Sequence, residues 1–160
     1  METYAYCGLY CQACSVYIAT QDGGKMLEAL AEKLNQSVED TRCFGCRSER
    51  VSKHCAKCSF KSCADEKNTQ FCSQCGEYPC NQLKEFQTKM PHRAELFESL
   101  DYIKQKGIAT WVEKMKSDFS CPSCGTINSP YLLKCRKCGS LPCNPFTARN
   151  GEKVKAFLGL

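Results

Sequence analysis

Cys72-Ser73-Gln74-Cys75-Gly76-Glu77-Tyr78-Pro79-Cys80-Asn81 and Cys135-Arg136-Lys137-Cys138-Gly139-Ser140-Leu141-Pro142-Cys143-Asn144 are two copies of one pattern, C-x2-C-G-x2-P-C-N. A third stretch, Cys55-x2-Cys58-x4-Cys63, keeps the spacing without the letters. Two thiolates three positions apart on a tight turn are placed to grip one metal ion. Working outward, Cys11/Cys14, Cys43/Cys46 and Cys121/Cys124 add three more C-x2-C pairs, and Cys7 stands alone, so all 16 cysteines of the 160 residues enter a candidate ligand set. Two segments then read the same way: C-x2-C, a short loop, C-x2-C-x4-C. The chain reuses one metal-knuckle unit.

Dense, even-numbered cysteines also staple small secreted domains through disulfides. The N-terminus, Met1-Glu2-Thr3-Tyr4-Ala5-Tyr6-Cys7, carries neither a basic nor an apolar signal region, and no stretch is long and apolar enough to cross a membrane. The expectation is therefore a cytoplasmic chain with reduced thiols and bound metal. Structural zinc supplies on the order of 10 kcal/mol of folding free energy per site, which lets such a chain manage with a thin apolar core. The formal charge of +5 points to an acidic partner only if every cysteine is a neutral thiol. Four zinc ions on sixteen thiolates would bring it to about −3. Arg42, Arg47, Arg50, Lys53, Lys57 and Lys61, interleaved with the cysteine pairs, read as compensating thiolate charge at least as well as phosphate binding.

Between the knuckles the pattern is helical. Ser15 to Thr20 runs on from Cys14 and stops at Asp22-Gly23-Gly24; Met26, Leu27, Leu30 and Leu34 then recur at helical spacing, predicting a helical hairpin. Leu83 and Phe86 mark another helix. Pro91 sits at a first-turn position before Leu96, Phe97, Leu100 and Ile103, with Gly107 as the stop, and Ile108, Trp111, Val112, Met115 and Phe119 form a further stripe. These apolar residues read as core. The predicted fold is small, metal-stabilised and mainly α with irregular cysteine knuckles: a helical metal-binding domain over 1–118, then a zinc ribbon with a short β hairpin and a C-terminal tail over 119–160.

The ribbon prediction rests on Cys121-Pro122-Ser123-Cys124-Gly125 facing Cys135-Arg136-Lys137-Cys138-Gly139 across a hairpin containing Tyr131, Leu132 and Leu133. Its tip would present Tyr131, Lys134, Arg136 and Lys137 to RNA or a protein. Cys43, Cys46, Cys55, Cys58, Cys63, Cys72, Cys75 and Cys80 suffice for two more four-thiolate sites, paired either in sequence order or cross-braced. His54, beside Cys55, is a possible substitute ligand, and His92 reads as a helix-start residue. Cys7, Cys11 and Cys14 supply three thiolates in C-x3-C-x2-C spacing, which also holds iron–sulfur clusters. Their fourth ligand is open, with Cys63, Cys80, His54 and Cys143 as candidates to complete the sets.

YCGLYCQAC followed by YIAT, then CFGC, then C-x2-C-x4-CA and CSQCGEYPC leading into the Leu83/Phe86 helix, together resemble a prokaryotic cysteine-rich family known as domain of unknown function 3795. The resemblance runs over roughly residues 4 to 115. It implies no activity, and because the family is frequent in anaerobes it implies iron–sulfur clusters as an alternative cofactor. The C-terminal ribbon looks like an addition to the family pattern. No nucleophile–base pair, phosphate loop or carboxylate dyad is present, so the reading is a protein with three or four zinc ions, binding a macromolecular partner of protein or RNA. The alternative is an iron–sulfur protein with a redox or metal-transfer role at Cys7, Cys11 and Cys14. Oligomeric state is open.

Overall fold

A computed structural model describes residues 2–160. The helices are α1 (Ser15–Asp22), α2 (Gly24–Lys33), α3 (Val38–Thr41), α4 (Lys53–Ala56), α5 (Ser59–Glu66), α6 (Asn81–Thr88), α7 (Leu96–Lys106), α8 (Ile108–Phe119) and α9 (Pro145–Leu158), with 3-10 turns at Cys11–Ala13, Cys72–Gln74 and Pro91–Arg93. Just over half of the chain is helical. The breaks follow local chemistry. The Asn144 side chain accepts from the Thr147 amide at 2.8 Å, with Pro145 next to it, and so starts α9. Ser37 caps α3 in the same way through the Asp40 amide.

Trp111 is the centre of the core. It is fully buried and meets Tyr4 and Tyr10 edge-on, with centroids 6.1 Å apart in each pair. Phe71, Leu83, Leu96 and Leu100 close around it, all at most 1% exposed. Its indole N–H donates to Ser99 Oγ at 2.7 Å, and that hydroxyl donates to the Gly8 carbonyl at 2.8 Å, so the one polar atom of the ring has a partner and the chain tips it joins are fixed. Phe119 and Phe146 belong to the same cluster, with ring centroids 5.2 Å apart. Thus the end of α8 and the start of α9 share an apolar core, while Cys121, Cys135 and Cys143 form a separate small cluster.

The β hairpin anticipated between the C-terminal knuckles does not form. Among the described residues there is no β-strand, only isolated bridges at Tyr4–Tyr10 and Ser120–Ile127. The cause is Asn128-Ser129-Pro130. Pro130 has no N–H to give a ladder, and the buried Asn128 side chain takes the bonds a partner strand would make. Its Oδ1 accepts from the Arg136 amide at 3.0 Å, and its Nδ2 donates to the Thr126 carbonyl at 2.8 Å and the Cys143 carbonyl at 3.3 Å. The fold class is therefore mainly helical with irregular knuckles throughout, not helical with a β-hairpin ribbon.

Candidate metal centre

Each C-terminal knuckle is a turn closed by a glycine. Gly125 N–H donates to the Cys121 carbonyl at 2.8 Å and Gly139 N–H to the Cys135 carbonyl at 2.9 Å. Both glycines have positive φ, 71° and 76°, which a side chain would oppose. The two turns face each other so that Cys121 and Cys138 Sγ lie 3.6 Å apart, as do those of Cys124 and Cys135. All four sulfurs fall within 4.8 Å of one another. A tetrahedral ion with bonds of 2.3 Å needs sulfurs about 3.8 Å apart, so this quartet can hold one metal ion.

The surrounding dipoles favour thiolate. Burial acts to raise the Cys135 thiol, but amides of Cys138 and Lys137 and the Asn128 side-chain amide, 3.5 Å from its sulfur, outweigh it and bring Cys135 down to about 5. The Ser140 hydroxyl and amide lower Cys138. Cys143, the last cysteine of the repeat, lies beside the quartet rather than within it. It is fully buried, its thiol directed at the Leu132 carbonyl at 2.6 Å, and burial raises its pKa.

A second set surrounds a cavity of about 340 Å³ between α5 and the start of α6. Cys63 on α5, Cys72 and Cys75 on the intervening turn, and Cys80 at the foot of α6 all line it, with Phe60, Tyr78 and Leu83 as its apolar wall. Burial pushes Cys72 up to about 12, with the charges of Cys80, Cys63 and Cys75 adding. Four thiolates cannot share such a space without a cation. Lys67 Nζ stands 3.6 Å from Cys75 Sγ and pairs with Glu77 at 2.8 Å, and the Glu77 amide donates to the same sulfur at 3.4 Å.

The remaining seven cysteines gather where the N-terminal trio meets the Cys43–Cys58 segment. The Cys46 amide donates to Cys11 Sγ at 3.4 Å, and a thiol contact with Cys11, then burial, drive the Cys46 pKa far up. Desolvation of its thiol pushes Cys14 up to about 11 although the residue is exposed overall, with Cys55 and Cys43 adding, and burial raises Cys7, with Cys46, Cys72 and Cys58 adding. The trio thus faces the middle pairs, not the C-terminal quartet. His54 is exposed on α4. His92 is more than a helix-start residue: it is half-buried, and its Nδ1 bonds the Tyr131 hydroxyl.

A model of the family described as "Protein of unknown function (DUF3795)" matches residues 3–85, just over half of the chain. The chain belongs to this family. The family region holds Cys7 through Cys80 and thus both gatherings just described, while the C-terminal quartet lies outside it. No curated protein and no solved structure matches the chain.

Sequence reasoning overlooked Asn128, whose side chain orders the turn between the C-terminal knuckles and touches a ligand sulfur. An Asn two places before a proline within a metal loop is the signal that could have found it. At the tip, Tyr131 packs on His92 and Phe157, and Arg136, though exposed, pairs with Asp22; Lys134 and Lys137 are exposed as well.

Proposed function

We propose that the chain is a zinc-dependent structural module with three or four metal centres, acting through its surface on a macromolecular partner. The observation that carries this reading is the Cys121/Cys124/Cys135/Cys138 quartet, whose paired sulfurs at 3.6 Å match one tetrahedral zinc and leave no fifth position for a substrate. A closed site of this kind folds a chain and does not transform a ligand. The cysteine gatherings of the family region supply the further centres. Beside the quartet, Lys134, Lys137 and Leu141, the last 63% exposed, form a basic rim with an apolar tip suited to protein or RNA.

Metal analysis of the purified chain tests this, with one zinc per chain lost in Cys124→Ser as the expected result. Retention of all zinc in that variant would sink the assignment. A salt-sensitive gel shift of single-stranded RNA by the zinc-loaded protein, lost on chelation, would assign the partner to RNA; no shift would remove RNA from the reading.

A further inference from the structure

The two metal-bearing repeats differ in how far apart their sulfurs stand. In the C-terminal unit four sulfurs close on a single point. Around the cavity at α5 and α6 they do not: among the described residues the C-terminal quartet is the only cysteine group whose sulfurs all lie within 4.8 Å of one another, so no three of Cys63, Cys72, Cys75 and Cys80 do. Instead they are spread around about 340 Å³, roughly ten times the volume a water molecule occupies in the liquid. One tetrahedral ion draws its sulfurs into near contact; a cluster spreads them, because each thiolate binds a different iron.

We propose that Cys63, Cys72, Cys75 and Cys80 hold a [4Fe–4S] cluster in this cavity, one thiolate to each iron. Each thiol releases its proton to solvent as its sulfur binds. The surroundings suit a cluster more than a lone ion. Phe60, Leu83 and Ala64 wall one side with apolar groups, and Leu83 is fully buried. The Glu77 amide and the Lys67 ammonium already address Cys75 Sγ, and N–H groups directed at ligand sulfurs are one of the determinants of a cluster's potential. This goes beyond the zinc reading and places the iron away from the Cys7/Cys11/Cys14 trio.

The test uses the full chain, purified without oxygen and supplied with equal ferrous and ferric iron and with sulfide, so that the cluster assembles without a further oxidant or reductant. About four iron and four sulfide per chain, with a brown visible chromophore, are expected beside the zinc of the C-terminal quartet. Cys72→Ser and Cys80→Ser should lose the chromophore while keeping that zinc and the helical circular dichroism, and Cys124→Ser should keep the chromophore. A Lys67→Met variant, which changes an exposed residue and spares all four ligands, should keep its iron and shift the midpoint potential negative, since a cation beside Cys75 stabilises the reduced cluster. Zinc alone in this cavity, two irons instead of four, an unmoved potential in Lys67→Met, or a chromophore lost in Cys11→Ser but kept in both Cys72→Ser and Cys80→Ser would each overturn the proposal.

Discussion

Residues 72–81 and 135–144 share six of ten letters in the same frame, and both have a cis X–Pro bond at the same place, Tyr78–Pro79 and Leu141–Pro142. Each also leads into a helix, α6 and α9. Yet they place their cysteines differently. In the C-terminal copy the first two cysteines meet a second knuckle ten residues upstream, and the third, Cys143, packs beside them with its thiol directed at the Leu132 carbonyl. In the family copy the third cysteine, Cys80, stays on the cavity wall with Cys72 and Cys75, and Cys63 on α5 faces them. The difference lies outside the repeat. Asn128 pins the upstream knuckle against Arg136 in one case, whereas Phe60 packed on Phe86, with centroids 4.7 Å apart, holds α5 beside α6 at a fixed distance in the other. A ligand motif sets how many thiolates arrive; the scaffold behind it sets how far apart they stop.

The largest expected effect breaks the two regions apart. Stripping the C-terminal quartet with a chelator, or substituting Cys124→Ser, removes on the order of 10 kcal/mol of coupled folding free energy. Residues 119–144 should then become open to protease while the Trp111 core retains its near-ultraviolet signal. Protection of that segment in the metal-free protein would mean that packing against Phe146, not metal, holds it.

The next prediction concerns the joint between the regions. His92, in the turn before α7, meets Tyr131 of the C-terminal unit through Nδ1 and accepts from Arg93 Nε through Nε2 at 3.3 Å. Burial, then the Arg93 charge, lower its pKa to about 4 from 6.5. The folded state therefore favours the neutral ring. Its contribution is complete above pH 6.5, and it falls away as pH drops through 4, by about 3 kcal/mol in all. Acid also protonates thiolates, so the readout is the difference between the native chain and His92→Gln in denaturant titrations over that range. Parallel curves would show that His92 does not titrate across the joint.

Asn128→Ala should come third. It leaves the Arg136 amide and the Cys143 and Thr126 carbonyls with fewer partners, costing about 2 kcal/mol and weakening zinc at the quartet, because Cys135 loses a donor that favours its thiolate. Competition with a chromogenic chelator measures it. An unchanged zinc affinity would leave the knuckle turns alone as the cause of the tight sulfur spacing.

Much of the helical frame was legible because its signals are local. Asp22-Gly23-Gly24 ends α1, Gly107 divides α7 from α8, and the buried residues of α8 are Trp111, Met115 and Phe119, three members of the stripe read from the sequence. Two details were not. On α2 the buried face is Leu27 and Ala31, while Met26 and the following residue Leu34 are exposed, since a small alanine can face the core as well as a large side chain can. Helices α4 and α5 lie inside the cysteine-rich stretch, where knuckle spacing obscured the helical period. At the metal sites, the ligand count of the C-terminal quartet followed from spacing alone. The proximity of the trio to Cys43, Cys46 and Cys55, and the width of the Cys63–Cys80 cavity, depend on which helices pack together, and no short motif encodes that.

The smallest expected effect tests the comparison most directly. Cys80 and Cys143 occupy the same position in the repeat, but Cys80 is among the cysteines that line its candidate site, whereas Cys143 packs against its quartet without belonging to it. Cys143→Ala removes the thiol's bond to the Leu132 carbonyl, its contact with the Thr147 hydroxyl at 3.3 Å and a little packing, but that carbonyl keeps a second donor, the same Thr147 hydroxyl, also at 3.3 Å. No buried acceptor is orphaned, so the cost should be about 1 kcal/mol with zinc content unchanged. Cys80→Ser should instead reduce metal content. Paired metal analysis and melting curves of the two variants measure the contrast. Loss of zinc from Cys143→Ala would mean that the two copies work alike, with the third cysteine a ligand in both, and the structural difference between them would have no chemical consequence.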